Sequence, residues 1–272
     1  MYAEFFNLKE DPFNVTSDPE FFFSSSRHAE AFSHLVYGIQ QRKGILVVTG
    51  EIGTGKTTLC RTFLSQVDTD VKTAFILNPY FSEKQLLQLI LKDFGIEGNY
   101  KNKLALIDAL NAFLLEQSAQ GNNVVLIIDE AQNLKPRQLE QIRLLSNLET
   151  EKDKLLQIIL VGQPELLDRL KLPSLRQLNQ RVSVRYHILP LEKNEVRDYI
   201  YHRLKVASHS ENGKVSAEFT NSAIDAIYAH SGGTPRLINI LCDRALLSGF
   251  VTETKTIDDQ IIHKCAKEVS SS

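Results

Sequence analysis

Gly50-Glu51-Ile52-Gly53-Thr54-Gly55-Lys56-Thr57 decides how the rest of this 272-residue chain is read. The spacing fits the phosphate-binding pattern GxxxxGK[ST]. Its glycines let the backbone curl so that successive N–H groups face inward and form a nest for an anion. A helix opening near Lys56 adds the positive end of its dipole. Lys56 is expected to reach the β- and γ-phosphates of a nucleotide, and the Thr57 hydroxyl to ligate Mg²⁺. The loop follows the apolar run Ile45–Val48 and precedes a helix-compatible segment. A Gly-rich turn alone would not require that strand–loop–helix context.

Two more apolar runs resemble the first. Val124–Ile128 and Ile158–Val161 are rich in β-branched residues, do not alternate, and end in Asp129 and Gly162. Such runs suit strands buried on both faces of a parallel sheet. Ala74–Leu77 and the partly alternating Val182–Ile188 are weaker strands. Between the strands lie helical patterns at Lys56–Gln66, Glu83–Phe94, Leu104–Gln117 and Arg137–Leu148. Alternating strand and helix predicts a three-layer α/β sandwich on a five-stranded parallel sheet, over residues 43–190.

Asp129-Glu130 closes the second run. A strand ending in Asp puts one carboxylate at the carboxyl edge of the sheet, where it can hold Mg²⁺ through water. Glu130 is then a general base, or a group that orients water, for attack on a γ-phosphate. A solvated acidic turn is the simpler reading of the pair. The phosphate loop upstream favours the chemical one, and two carboxylates with separate jobs point to hydrolysis of ATP.

Outside residues 43–190 the texture changes. Glu192–Ala207, Ala217–His230, Pro235–Gly249 and Ile257–Val269 read as helices, with turns at Glu211–Gly213, Ser231–Thr234 and Thr252–Thr256, making a helical lid domain of 191–272. The first 42 residues hold Phe5, Phe6, Pro12, Phe13, Pro19 and Phe21–Phe23. Prolines in such a stretch favour an extended strap whose rings pack on the core, followed by a helix over about Arg27–Gln41.

Bulk properties narrow the class. The chain is 43% hydrophobic and 24% charged, with a net charge of −2. That balance gives no general pull toward nucleic acid or anionic lipid. Cys60, Cys242 and Cys265 are odd in number and scattered, which excludes a zinc or disulfide framework and suits a reducing compartment. Met1–Lys9 has no basic-then-apolar run of a secretory signal, and no stretch approaches 18 consecutive apolar residues.

Beyond these readings, the chain resembles the GspA/ExeA family of AAA+ secretion ATPases over nearly its whole length. The resemblance runs through Tyr2…Phe5-Phe6-Asn7-Leu8…Pro12-Phe13, Asp18-Pro19-Glu20-Phe21-Phe22, His28-Ala29-Glu30-Ala31 and Leu35-Val36-Tyr37-Gly38-Ile39. It continues in Gly50–Thr58, Ala74-Phe75-Ile76-Leu77-Asn78-Pro79, Asp129-Glu130-Ala131-Gln132-Asn133-Leu134, Leu155–Leu166, Leu175–Tyr186 and Gly232–Leu237. The Asp-Glu-Ala-Gln box is the least specific, since TniB-type transposition helpers look similar there. The strap and Gly162-Gln163-Pro164-Glu165-Leu166 are the more specific marks.

The resemblance implies a P-loop AAA+ core with a helical lid, using ATP and Mg²⁺ bound by Gly50–Thr58, Thr57 and Asp129. It gives Gln163 a sensor's place at the γ-phosphate or lytic water; most AAA+ proteins have Asn, Ser or Thr there. It makes Arg181 the first and Arg176 the second choice for an arginine finger acting in trans, which would require a homo-oligomer with nucleotide at subunit interfaces. It makes Arg236 a sensor-2 arginine: Gly232-Gly233 break the chain, Thr234 is an N-cap and Pro235 suits the first helical position. The strap is expected near the adenine, with Tyr37 and His28 as base-side contacts.

Proteins of this family are implicated in assembling the outer-membrane secretin pore, and typically join a cytoplasmic ATPase domain to a membrane helix and a peptidoglycan-binding region. The resemblance thus implies a protein at the cytoplasmic face of the inner membrane, with a membrane-protein partner and no nucleic acid. Ser272 falls about where the family's ATPase domain ends. The chain is therefore expected to be that domain, with an anchor beyond residue 272, or a short relative. The alternative is a DNA-associated helper of the TniB or MuB type, for which Lys152, Lys154, Arg176, Arg181 and Arg185 would form a basic stripe.

Overall fold

The computed structural model describes residues 1–150, 153–209 and 216–270. In chain order it begins with one helical turn, α1 (Tyr2–Phe5), then α2 (Ser26–Gln40), β1 (Ile45–Gly50), α3 (Lys56–Gln66) and β2 (Val71–Ile76). Next come α4 (Glu83–Asp93), α5 (Lys103–Ala119), β3 (Asn123–Ile128), α6 (Pro136–Leu145), β4 (Gln157–Gly162), α7 (Glu165–Leu170), α8 (Arg176–Arg181) and β5 (Val182–Ile188). The chain continues with α9 (Lys193–Val206), β6 (Glu218–Phe219), α10 (Asn221–Ser231), α11 (Pro235–Val251), β7 (Thr256–Ile257) and α12 (Asp259–Ser270). The turn expected at Glu211–Gly213 lies outside the described residues.

These elements form two compact units. A sheet unit holds Ala29–Ile52 and Leu59–Ile188; a helical unit holds Met1–His28, Gly53–Thr58 and Leu189–Ser272.

In the sheet unit, β1–β5 form one parallel sheet in the order β2-β3-β4-β1-β5. Side chains alternate between its faces. Ile45, Val47, Leu126, Ile128, Ile158 and Leu160 bury one face against α4, α5 and α6, whose Leu87, Leu110 and Ile142 are fully buried. Leu46, Val48, Val125, Ile127, Ile159 and Val161 are equally buried on the other face. There α2 comes so close that a Cβ on Gly38 would lie 2.2 Å from Leu46 Cδ2. Covering both faces explains the unbroken apolar runs: each large side chain taken out of water contributes about 1.5–3 kcal/mol. β2 and β5 are the sheet's edges, and their mixed burial explains their weaker sequence signal.

Helix starts follow local chemistry. Ser82 and Gln85 make a reciprocal capping box at α4, and the Asn102 side chain accepts the Ala105 N–H at α5. Pro136 opens α6, where its missing N–H costs nothing.

The strap belongs to the helical unit, which corrects the expectation that its rings cover the α/β core. Phe6, Phe13 and Phe21 are buried with Leu191, Ile200, Phe219 and Leu246 in one apolar cluster. Arg203 fixes the Pro-broken backbone: its Nε donates to Pro12 O at 2.5 Å and Nη2 to Asn14 O at 2.9 Å. Its guanidinium also lies 4.8 Å from the centre of the Phe21 ring. A stretch that prolines keep out of helix must satisfy its carbonyls elsewhere, and here a buried arginine does so.

A two-stranded parallel ladder joins β6 to β7, pairing Glu218 with Thr256 and Phe219 with Ile257. Two residues per strand carry no readable period, so Glu218–Phe219 reads as helix from sequence and Thr256–Ile257 as the end of a turn and the start of a helix. Gly232 and Gly233 take positive φ between α10 and α11, and a Cβ on Gly233 would meet Leu191 O at 2.0 Å. Among the described residues no helix is long and apolar enough to cross a membrane.

Candidate active site

In a parallel sheet all strands end at one edge. β1, β4 and β3 are neighbours, with Val47 level with Leu160 and Leu160 level with Ile128. Gly50-Glu51-Ile52, Gln163 and Asp129-Glu130 therefore leave the sheet at the same edge, where open α/β sheets hold their ligands. β4, which leads into Gln163, lies between the two strands that carry the loop and the acidic pair.

Three side chains from two of these strand ends are joined there. Glu130 has φ 52°, a left-handed conformation that costs a non-glycine residue about 1–3 kcal/mol. Its N–H donates to Asp129 Oδ1 at 2.8 Å. The Glu130 carboxylate accepts from Gln132 Nε2 at 2.5 Å and from Gln163 Nε2 at 3.4 Å, both on Oε2. Gln132 Oε1 in turn accepts the backbone N–H of Gln163 at 3.1 Å. A Cβ on Gly162 would sit 2.8 Å from that Oε1, so only glycine leaves room for the bridge. Asp129 is buried at 2% exposure, and it bonds its neighbour's N–H.

Gln132 is the member of this candidate site that sequence reasoning missed. It stood in the Asp-Glu-Ala-Gln box only as a family mark. Its signal is weak, a polar side chain two residues past the acid, and a 3₁₀ turn over Ala131–Asn133 is what brings it back onto Glu130.

The tip of the phosphate loop, Gly53–Thr58, lies in the helical unit. Gly53 and Gly55 take φ of 81° and 91°, as the curled loop requires. The Arg236 backbone N–H donates to Gly53 O at 3.2 Å. This corrects one detail: Thr234 occupies the N-cap position of α11 but its side chain makes no cap bond. A donor in the first turn finds a loop carbonyl instead. A Cβ on Gly53 would lie 2.6 Å from Arg236 Cβ. Lys56 and Thr54 are buried, Thr57 and Thr58 half-buried, and Glu51 and Ile52 exposed.

His28 faces the loop's backbone: its Nε2 is 2.8 Å from Thr54 O. Burial holds its imidazole below the ordinary histidine range, partly offset by the Thr54 carbonyl and the charge of Glu195. Tyr37 is exposed on α2.

The two finger candidates differ. Arg181 Nη1 donates to Arg143 O at 3.0 Å, to Ser146 Oγ at 3.1 Å and to Asn147 Oδ1. It thus caps the C-terminal end of α6, where free carbonyls attract a cation. Arg176, on the first turn of α8, is exposed and has no side-chain acceptor among the described residues. Two further members of the basic stripe are bonded locally. Lys154 pairs with Glu149, Arg185 donates to Asn179, and Lys152 lies outside the described residues.

A family model described as an AAA domain matches residues 39–170. General secretion pathway protein A of Aeromonas hydrophila is 45% identical over 271 residues, covering 99% of this chain and 49% of that protein. The chain thus spans about half the length of the curated relative it matches. Among solved structures, Cdc6p from Pyrobaculum aerophilum aligns with TM-score 0.69 and 18% identity, over 93% of this chain and 71% of that one. Aeropyrum pernix ORC2, solved as ADPNP–ADP complexes, aligns at 0.66 and 14%, over 92% and 71%. Thermotoga maritima RuvB, a Holliday junction branch migration motor, aligns at 0.57 and 20%, over 90% and 70%. At those identities the shared feature is the fold.

Proposed function

We infer a function from the premise that this chain is an AAA protein, homologous along 99% of its length to part of general secretion pathway protein A: it binds Mg–ATP and hydrolyses it. The observation that carries this reading is the Glu130 carboxylate, held by two amides at the sheet edge from which the phosphate loop springs. An acidic turn without chemistry has no need of a strained backbone and two positioned donors.

In this reading the N–H groups of Gly50–Thr58 receive the phosphates, and Lys56 adds its charge to the β- and γ-phosphates. The residues suit the ligand: an anion nest needs glycines at positive φ, and Gly53 and Gly55 supply them. Thr57 and Asp129 offer the hard oxygen donors that Mg²⁺ takes, Asp129 through water; the ion would neutralise phosphate charge. Glu130 accepts a proton from the attacking water, or aims it, while Gln132 fixes the carboxylate. Gln163 bonds the same carboxylate and can report the γ-phosphate to it. Arg236, tied to the loop by its backbone, presents its side chain to the nucleotide. Arg176 is assigned the trans finger ahead of Arg181, whose donors already serve α6.

The homologue's name supports a part in secretion, and the cellular role proposed with it is that of a homo-oligomer at the cytoplasmic face of the inner membrane, using ATP to drive or regulate assembly of an envelope secretion complex with a membrane-protein partner. Phosphate release by the purified chain tests the chemistry. Wild type should turn over only with Mg–ATP, and Lys56→Ala should lose both binding and turnover. Mixing Lys56→Ala with Arg176→Ala chains should restore partial activity if fingers cross subunits. Equal release by wild type and Lys56→Ala would sink the reading.

A further inference from the structure

Ser25 and His28 form a buried pair that the proposed chemistry does not use. They are 3% and 4% exposed. Ser25 Oγ lies 2.7 Å from His28 Nδ1 and also accepts the His28 backbone N–H at 3.3 Å, a cap at the start of α2. The other ring nitrogen, Nε2, lies 2.8 Å from Thr54 O. The Phe22 ring meets the imidazole edge to face, centroids 5.8 Å apart.

The partners fix the tautomer. A carbonyl oxygen can only accept, so Nε2 carries the hydrogen. Burial keeps the ring neutral, which leaves the Nδ1 lone pair to accept the Ser25 hydroxyl. Serine orients the ring and the ring holds the loop.

The bond also fixes an amide. Among the described residues no peptide is cis, and in a trans peptide C=O and N–H point to opposite sides. Holding Thr54 O on His28 turns the Gly55 N–H the other way. Likewise, holding Gly53 O on the Arg236 amide turns the Thr54 N–H away from α11. A Cβ on Gly55 would lie 3.0 Å from His28 Nε2, so this glycine is needed for the histidine's approach as well as for its φ.

We propose that His28, oriented by Ser25, is a positioning residue of the phosphate-binding loop: it anchors the Thr54 carbonyl so that the Gly55 amide is presented to nucleotide phosphate before the ligand arrives. This rests on reading Gly50–Thr58 as an ATP-phosphate site. It makes the N-terminal strap part of the loop's support, and it gives His28 a role toward phosphate instead of toward the base.

The test compares wild type, His28→Ala, His28→Gln, whose amide can still donate, and Ser25→Ala. Hydrogen exchange across residues 50–58 is followed without nucleotide, and affinities are measured for Mg–ADP and for adenosine. His28→Ala should speed exchange in the loop and weaken Mg–ADP about tenfold, the size of one lost hydrogen bond, with adenosine unchanged. His28→Gln should recover most of both, and Ser25→Ala should fall between. Unchanged exchange and unchanged Mg–ADP affinity in His28→Ala would overturn the proposal. So would equal weakening of Mg–ADP and adenosine, and so would His28→Gln behaving as His28→Ala. If wild type binds no Mg–ADP, the nucleotide reading fails and exchange alone decides: a loosened loop restored by Gln upholds the anchor, an unaltered loop removes it.

Discussion

Gln132 touches both sides of the candidate site: its Nε2 donates to Glu130 Oε2 at 2.5 Å and its Oε1 accepts the Gln163 N–H at 3.1 Å. One amide thus ties the end of β3 to the end of β4. Gln132→Ala removes both bonds and leaves Glu130 with only the longer contact from Gln163. Turnover should fall about tenfold while Mg–ATP affinity changes less than about threefold, because the lost bond acts on the base and not on the phosphates. Steady-state phosphate release beside nucleotide titration checks this. A change confined to affinity would refute the positioning role.

The backbone at Glu130 makes a separate prediction. At φ 52° a glycine is at ease and a β-branched residue is not. Glu130→Gly should abolish hydrolysis and leave the denaturation midpoint nearly unchanged, since relieved strain offsets glycine's greater freedom in the unfolded chain. Glu130→Val should abolish hydrolysis and cost about 1–3 kcal/mol of stability. If the two variants are equally stable, the strain is not there.

Arg203 anchors the strap through Pro12 O and Asn14 O, while its Nη1 donates to the Tyr199 hydroxyl on its own helix at 3.2 Å. Arg203→Ala strips the buried Pro12 carbonyl of its guanidinium donor, leaves Asn14 O with the longer bond from Asn239 Nδ2, and should cost about 2–4 kcal/mol. Limited proteolysis should then cut within residues 9–25. Arg203→Lys should recover little, because one ammonium cannot reproduce the guanidinium fork. Intact protection in Arg203→Ala would show that ring burial alone holds the strap.

Stability should depend on pH through His28 and His202. Burial depresses both; the charges of Arg203 and Lys205 lower His202 further, while the Thr54 carbonyl and Glu195, which face His28, oppose its shift. The folded state therefore binds fewer protons than the unfolded chain. Stability is fully present above the unfolded value near 6.5 and is lost as pH falls below it, by at most about 1.4 kcal/mol per pH unit for each group. Melting temperature should be flat from about pH 7 to 8 and should decline from about pH 6.5 downward. His28→Gln should remove part of that slope.

How legible the sequence was depends on how many residues each feature spans. The Ile45, Val124 and Ile158 runs read correctly because burial on two faces leaves an unbroken composition signal over four or five residues. The places of Gly50–Thr57 and Asp129-Glu130 at strand ends were legible because chain order and the register of β1, β4 and β3 dictate both. Gln132 and Ser25–His28 were hidden because each depends on one contact made by a turn or a cap. Arg181 looked available because sequence shows a charge and not its acceptors. The strap's aromatic composition announced burial but could not say against which unit. β6 and β7 were too short for any period.

Replacing Glu130 with Gln and measuring Mg–ATP affinity together with single-turnover phosphate release tests the central claim most directly. The substitution keeps size and hydrogen bonding but removes the base. Affinity should stay within about threefold of wild type, and phosphate release should slow by at least about 100-fold. Release at the wild-type rate, with ATP bound equally well, would contradict the assignment of hydrolysis to Glu130.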